Sequence, residues 1–147
     1  MSRAFQAGGY VFIGDQLTNL KTLNTYMNNT ANNWSSYYDE TGTAYTPSGS
    51  NSFFLKVLEV NQINSTGCQG EFGYAATSPG LNATSAPSTM QYFGHGSTGF
   101  ILMPANTAGA TSIKDVAWTV PNGNYLIIHD NVASQVATMA YGYEGTV

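Results

Sequence analysis

Residues 113–129 read Ile-Lys-Asp-Val-Ala-Trp-Thr-Val-Pro-Asn-Gly-Asn-Tyr-Leu-Ile-Ile-His. Val116, Trp118 and Val120 recur at every second position, which puts three apolar side chains on one face of an extended segment. Pro121-Asn122-Gly123 supplies turn chemistry, and Tyr125–His129 is a second run of β-favouring residues. Asp130-Asn131 then turns the chain into Gln135–Glu144, where aromatic and small residues again suit a strand. Nothing in these residues carries a helical period, so this end of the chain is expected to be β.

The same signals run toward the N-terminus. Phe53–Ile63 (Phe-Phe-Leu-Lys-Val-Leu-Glu-Val-Asn-Gln-Ile) is a strand, turned by Asn64-Ser65-Thr66-Gly67 into a strand over Gln69–Thr77. Residues 78–88 have no period and form a loop. Met90–Phe93 and Phe100–Met103 are short strands around a Gly-rich tip, and Tyr10–Ile13 is a short β run ended by Gly14. Turn signals roughly every 8–12 residues suit an antiparallel sandwich. The expected fold is mainly β, an antiparallel β-sandwich of jelly-roll-like connectivity. One segment differs: Leu17, Leu20, Leu23 and Met27 follow Asp15 at helical spacing before Asn28-Asn29, so a helix is expected over about 15–28. Residues 1–14 form a flexible arm and first short strand, with Gly8-Gly9 as hinge. Residues 15–147 form one domain, in which the polar stretch 28–52 holds turns and one strand.

Only 8% of the 147 residues are charged, against about 25% in an ordinary soluble domain. Hydrophobic residues make up 42%, including ten Tyr and seven Phe, which separates the chain from disordered sequences. A net charge of −4, with Arg3, Lys21, Lys56 and Lys114 scattered along the chain, excludes a phosphate-neutralising patch for nucleic acid. No apolar run is long enough for a membrane helix. The N-terminus lacks the apolar core of a secretory signal. A neutral surface suited to the outside of a cell, without that signal, is expected of a virion protein made in the host cytoplasm.

Chemistry-bearing residues are sparse. Cys68 has neutral neighbours and no group to lower its pKa, so it is expected to be structural. His129 and Asp130 are adjacent, which on a strand sends them to opposite faces. His95 lies in Gly-His-Gly-Ser-Thr-Gly, which has neither a Walker lysine nor the Gly-x-Ser-x-Gly pattern. Asp39-Glu40 is the only adjacent acidic pair, and the other acids are scattered, so no calcium or zinc site is expected. No catalytic residue, cofactor or metal is expected. Asn28, Asn33, Asn64 and Asn82 each begin an Asn-x-Ser/Thr sequon, as chance allows in a chain rich in these residues. Trp34, Tyr37, Tyr38 and Tyr45, with Tyr92 and Tyr141, are candidates for an aromatic binding surface, for sugars or for proteins.

Phe53–Val60, Phe100–Met103 and Tyr125–Ile128 are apolar on both faces. A sandwich strand with a solvated outer face alternates apolar with polar. These outer faces therefore need a cover, from the expected helix, the N-terminal arm or another copy of the chain.

Residues 118–131 followed by Ala137–Tyr143 resemble the closing hairpin of many jelly-roll sandwiches, with a Val-Pro turn, a Gly-x-Tyr strand and an Asp-Asn turn in order. In overall character the chain also resembles bacteriophage capsid decoration (cement) proteins: small, β-rich, low in charge, with one unpaired Cys. That resemblance implies a homotrimer on the outer capsid surface that clamps neighbouring copies of the major capsid protein, with Ser2, Arg3, Phe5, Gly8 and Gly9 in contact with the shell. The alternative is a carbohydrate-binding jelly-roll module, free or at a phage tail or fibre tip.

Overall fold

The computed structural model describes residues 3–28, 33–62, 70–93, 111–130 and 135–147. The chain is mainly β, and every strand pair among the described residues is antiparallel. A hairpin of β1 (Ala4–Ala7) and β2 (Tyr10–Ile13) is followed by a single helical turn, α1 (Gly14–Thr18). Eight strands follow among the described residues: β3 (Leu20–Asn28), β4 (Asn33–Ser36), β5 (Ser52–Gln62), β6 (Gly70–Ala75), β7 (Gln91–Tyr92), β8 (Thr111–Val120), β9 (Tyr125–Asp130) and β10 (Gln135–Gly145). They pair as two four-stranded sheets, one in the order β3-β10-β5-β8, the other β4-β9-β6-β7.

The expected helix over 15–28 is confined to its first turn, and Leu20–Asn28 is strand β3. Leu23 and Met27 are four apart, a spacing that satisfies a helix and a strand equally. The residues between decide it: Thr22, Asn24 and Tyr26 are exposed while Leu23, Thr25 and Met27 are buried, a period of two. Thr and Tyr favour strands, and β3 has the whole length of β10 to pair with, from Asn28↔Gln135 to Leu20↔Tyr143.

Between residues 113 and 144 the described residues other than 121–124 are all in strands, but these strands do not form a hairpin. β8 pairs with β5, β9 pairs with β4 and β6, and β10 pairs with β3 and β5. The chain therefore passes from one sheet to the other between β8 and β9 and again between β9 and β10. At the first, Gly123 takes a φ of +82°, and Asn122 Nδ2 donates to the carbonyls of Gly49 and Asn51. That Asn fastens the crossing to the loop before β5.

Side chains from both sheets meet in one core. Leu23, Met27, Phe53, Leu55, Leu58, Val60, Val120, Val136 and Ala140 come from the first sheet; Phe72, Leu126 and Ile128 come from the second. Tyr37, Tyr45 and Phe93, from segments flanking strands, complete it, and Phe93 stacks on Trp118 with ring centroids 4.7 Å apart. Full burial of a side chain of this size contributes about 1.5–3 kcal/mol.

β5 shows why its sequence is apolar on both faces. A bulge at Lys56 breaks its register with both neighbours. Before it Phe53 and Leu55 point into the core; after it Leu58 and Val60 do, so the bulge resets the alternation. Phe54, Lys56 and Val57 are left on the outer face.

The β1–β2 hairpin covers that face. Phe12, fully buried, lies against Tyr143, and Phe5 against Tyr141. Lys56 Nζ sits 5.5 Å from the centre of the Tyr10 ring and 5.9 Å from that of Tyr143, a pair of cation–π contacts. The hairpin tip is tied down by Gly9 N–H, which donates to both carboxylate oxygens of Asp115 on β8 at 3.0 and 3.1 Å. Residues 3–9 are thus no flexible arm. Of the three covers the sequence allowed, the chain's own N-terminus is the one in place.

β10 alternates without interruption, and Gly142 is its tightest inward position. A Cβ there would collide with the Phe54 carbonyl oxygen and sit 2.6 Å from the Phe53 ring. At Gly145 the nearest atom is the Phe54 ring edge at 3.3 Å, which can yield. Gly142→Ala is therefore expected to lose about 3 kcal/mol in urea denaturation, and Gly145→Ala less than about 1 kcal/mol.

Candidate functional site

The aromatic residues singled out from sequence do not share a surface. Tyr37 is fully buried, and its hydroxyl pairs with Thr138 Oγ1 at 2.8 Å. Burial pushes the Tyr37 phenol well above its ordinary pKa, with the Thr138 hydrogen bond opposing it weakly. Tyr45 is 4% exposed and donates to Glu144 Oε2 at 2.7 Å. Tyr38 is half-buried and bridges β3 through its backbone at Asn24. Tyr141 lies under the hairpin on the first sheet. Tyr37 and Tyr45 are core residues with polar handles, so neither can stack on a ligand.

The same accounting holds for the other named residues. Asp39 Oδ1 accepts from Thr41 N–H, Thr41 Oγ1 and Thr43 N–H, and these donors hold its carboxyl below the usual value. Asp39 and Glu40 border an open cleft of about 250 Å³ with Leu20–Leu23 and Thr41. Among the described residues no three His, Cys, Asp or Glu side chains are grouped to hold a metal ion. Asn33 is 2% exposed, and its amide donates to the Asn82 and Ala83 carbonyls, so this sequon is closed in the folded chain. Ser2, Cys68, His95, Phe100–Met103 and the sequon at Asn64 lie outside the described residues. Arg3, Gly8 and Gly9 are exposed, and Phe5 is half-buried against its own chain.

Trp34 and Tyr92 do come together, with two residues that sequence reading had set aside. On the outer face of the second sheet, register aligns Trp34 of β4 with His129 of β9, and His129 with Glu71 of β6. The Trp34 indole stacks on the His129 imidazole, centroids 4.1 Å apart and planes 5° from parallel. From β7 the Tyr92 hydroxyl accepts from Trp34 Nε1–H at 3.1 Å, spanning the strands that carry Glu71 and His129. All four strands thus contribute one side chain each. Gly73 makes this possible, because any side chain there would strike the Gln91 backbone and hold β7 away.

His129 Nδ1 and Glu71 Oε1 are 3.0 Å apart, and the two residues are 7% and 6% exposed. A carboxylate only accepts, so pairing with one places an imidazole proton on Nδ1, and in the neutral ring Nε2 then carries the lone pair. Burial pushes the His129 pKa down, and the Glu71 carboxylate opposes that shift without cancelling it. His129 Nε2 and Glu71 Oε2 are both buried without a hydrogen-bond partner among the described residues. An unmet buried polar atom costs about 1–3 kcal/mol, so the fold retains this pair at a cost. Glu71 and His129 are 58 positions apart in sequence, and only the alignment of β6 with β9 joins them.

Protein-family models, curated proteins and solved structures contain no match to this chain.

Glu144 is a carboxylate with its partners satisfied. Besides Tyr45 it accepts from Ser48 N–H, Ser48 Oγ and Asn51 Nδ2. Burial raises its carboxyl, but Ser48, Tyr45 and Asn51 together outweigh that and hold it below its ordinary value of 4.5. With the folded pKa depressed, the contribution is present above the unfolded value and is lost as pH falls through the folded one. Glu144→Gln should cost about 1.5–3 kcal/mol in urea unfolding at pH 7, a difference that shrinks at pH values below the Glu144 titration.

Proposed function

We propose that this chain is a jelly-roll structural protein of a virus particle, one that attaches to the outside of a capsid and stabilises it through buried area rather than chemistry. The observation that carries the reading is the strand order. Among the eight strands from β3 to β10, the first lies beside the last, and the chain changes sheet at every connection except that between β6 and β7. Two interlocked Greek keys folded into facing sheets have this pairing, and jelly rolls of this kind recur in viral capsid proteins.

The surface supports the same reading. With so few charges, little keeps copies apart. Val11 and Ile13 on the hairpin, and Ile113 on β8, are 45%, 57% and 54% exposed. Among the described strands β8 is paired on one side only, over ten residues, which leaves a ladder for another chain. In this reading the chain forms a homotrimer, and its contact with the major capsid protein uses the outer face of the hairpin. Phe5 acts as the inner anchor that holds the hairpin in place. Several shell contacts per trimer then gain from multivalency.

Sedimentation of the full chain at micromolar concentration is expected to give a species of three times the 15.7 kDa chain mass. Ile13→Asp should leave the circular dichroism spectrum unchanged and abolish co-sedimentation with shells of the major capsid protein from the same genome. A clean 15.7 kDa species, or shells that bind Ile13→Asp as well as the parent chain, would overturn the reading.

A further inference from the structure

We propose that the outer face of the second sheet holds a saccharide-binding site, in which Glu71 and His129 accept hydrogen bonds from two ligand hydroxyls and Trp34 and Tyr92 pack on the sugar ring. This site goes beyond attachment to a shell and does not depend on it. Two buried acceptors, Glu71 Oε2 and His129 Nε2, lack donors among the described residues. They belong to side chains already locked together at 3.0 Å, so their positions are set before any ligand arrives. A pair of neighbouring hydroxyls supplies two donors at once, which a carboxylate ligand does not.

The aromatic residues complete the match. One face of the Trp34 indole is taken by His129, and Trp34 and Tyr92 both stay partly exposed. Flat rings of this kind pack against the apolar C–H faces of pyranoses, and the polar atoms beside them set orientation. The single 3.1 Å hydrogen bond between Trp34 Nε1 and the Tyr92 hydroxyl closes the site. When it opens, the indole N–H becomes a third point of contact, a donor for a ligand oxygen. Binding therefore competes with that closed arrangement, and the measured affinity is lowered by the fraction of molecules that are closed.

The full-length protein, applied to a glycan array and then titrated with methyl glycosides of the sugars retained, tests this by tryptophan fluorescence. Saturable binding is expected, weakened roughly tenfold or more by Glu71→Gln and by His129→Phe. Tyr92→Phe removes the closing hydrogen bond without removing an acceptor, so it is expected to tighten binding several-fold, an effect that mere loss of structure would not produce. Should Glu71→Gln fail to fold, Tyr92→Phe decides the matter alone. Absence of any retained glycan, or binding indifferent to Glu71→Gln or unimproved by Tyr92→Phe, would overturn the proposal.

Discussion

The fold depends on burying β5 from both sides. Its inner residues, Phe53, Leu55, Leu58 and Val60, join the core shared by the two sheets. Its outer residue Val57 is fully buried as well, close to where the hairpin tip crosses at Gly8. The bulge at Lys56 reconciles these demands. It lets an apolar strand present two faces without sending a hydrophobic side chain into water, and it places a lysine where Tyr10 and Tyr143 can receive its charge. Nearly everything distinctive about the N-terminus follows. The hairpin exists because a face of the sheet needs a cover, and Asp115 fixes its tip because an aromatic contact with few charges has little else to orient it.

How much of this was legible from sequence depended on which physical signal each element carried. β5, β8, β9 and β10 were readable to within two residues at either end, because alternation and turn residues marked them. β3 was misread as helix because Leu23 and Met27 satisfy both periods, and the deciding contacts with β10 lie over a hundred positions away. The turn after β8 was identified, but not that the chain crosses there between sheets, since Pro-Asn-Gly serves a hairpin and a crossing alike. Among the aromatics, exposure could not be foreseen. Tyr37 and Tyr45 are inside because Thr138 and Glu144 are placed to meet their hydroxyls, and no local pattern announces a partner about a hundred residues distant. The pairing of Glu71 with His129 was hidden for the same reason.

The two sheets divide their labour. The outer face of the first is closed by its own chain, with aromatic rings from the hairpin on aromatic rings of β10. The outer face of the second carries the buried Glu71–His129 pair, with two partly exposed rings beside it. A neutral surface with few charges leaves shape and hydrogen bonding as the means of recognition. That is the common ground of the two proposals, attachment to a capsid and recognition of a glycan, and they call on different faces of the molecule.

The most direct test of the account is urea unfolding of a chain that begins at Gly14, followed together with binding of a dye that fluoresces on apolar surface. If the hairpin is the cover that β5 requires, this shorter chain unfolds at distinctly lower urea and binds the dye in its native state, through uncovered Val57, Tyr141 and Tyr143. An unfolding curve that superimposes on that of the full chain, with no dye bound, would contradict it.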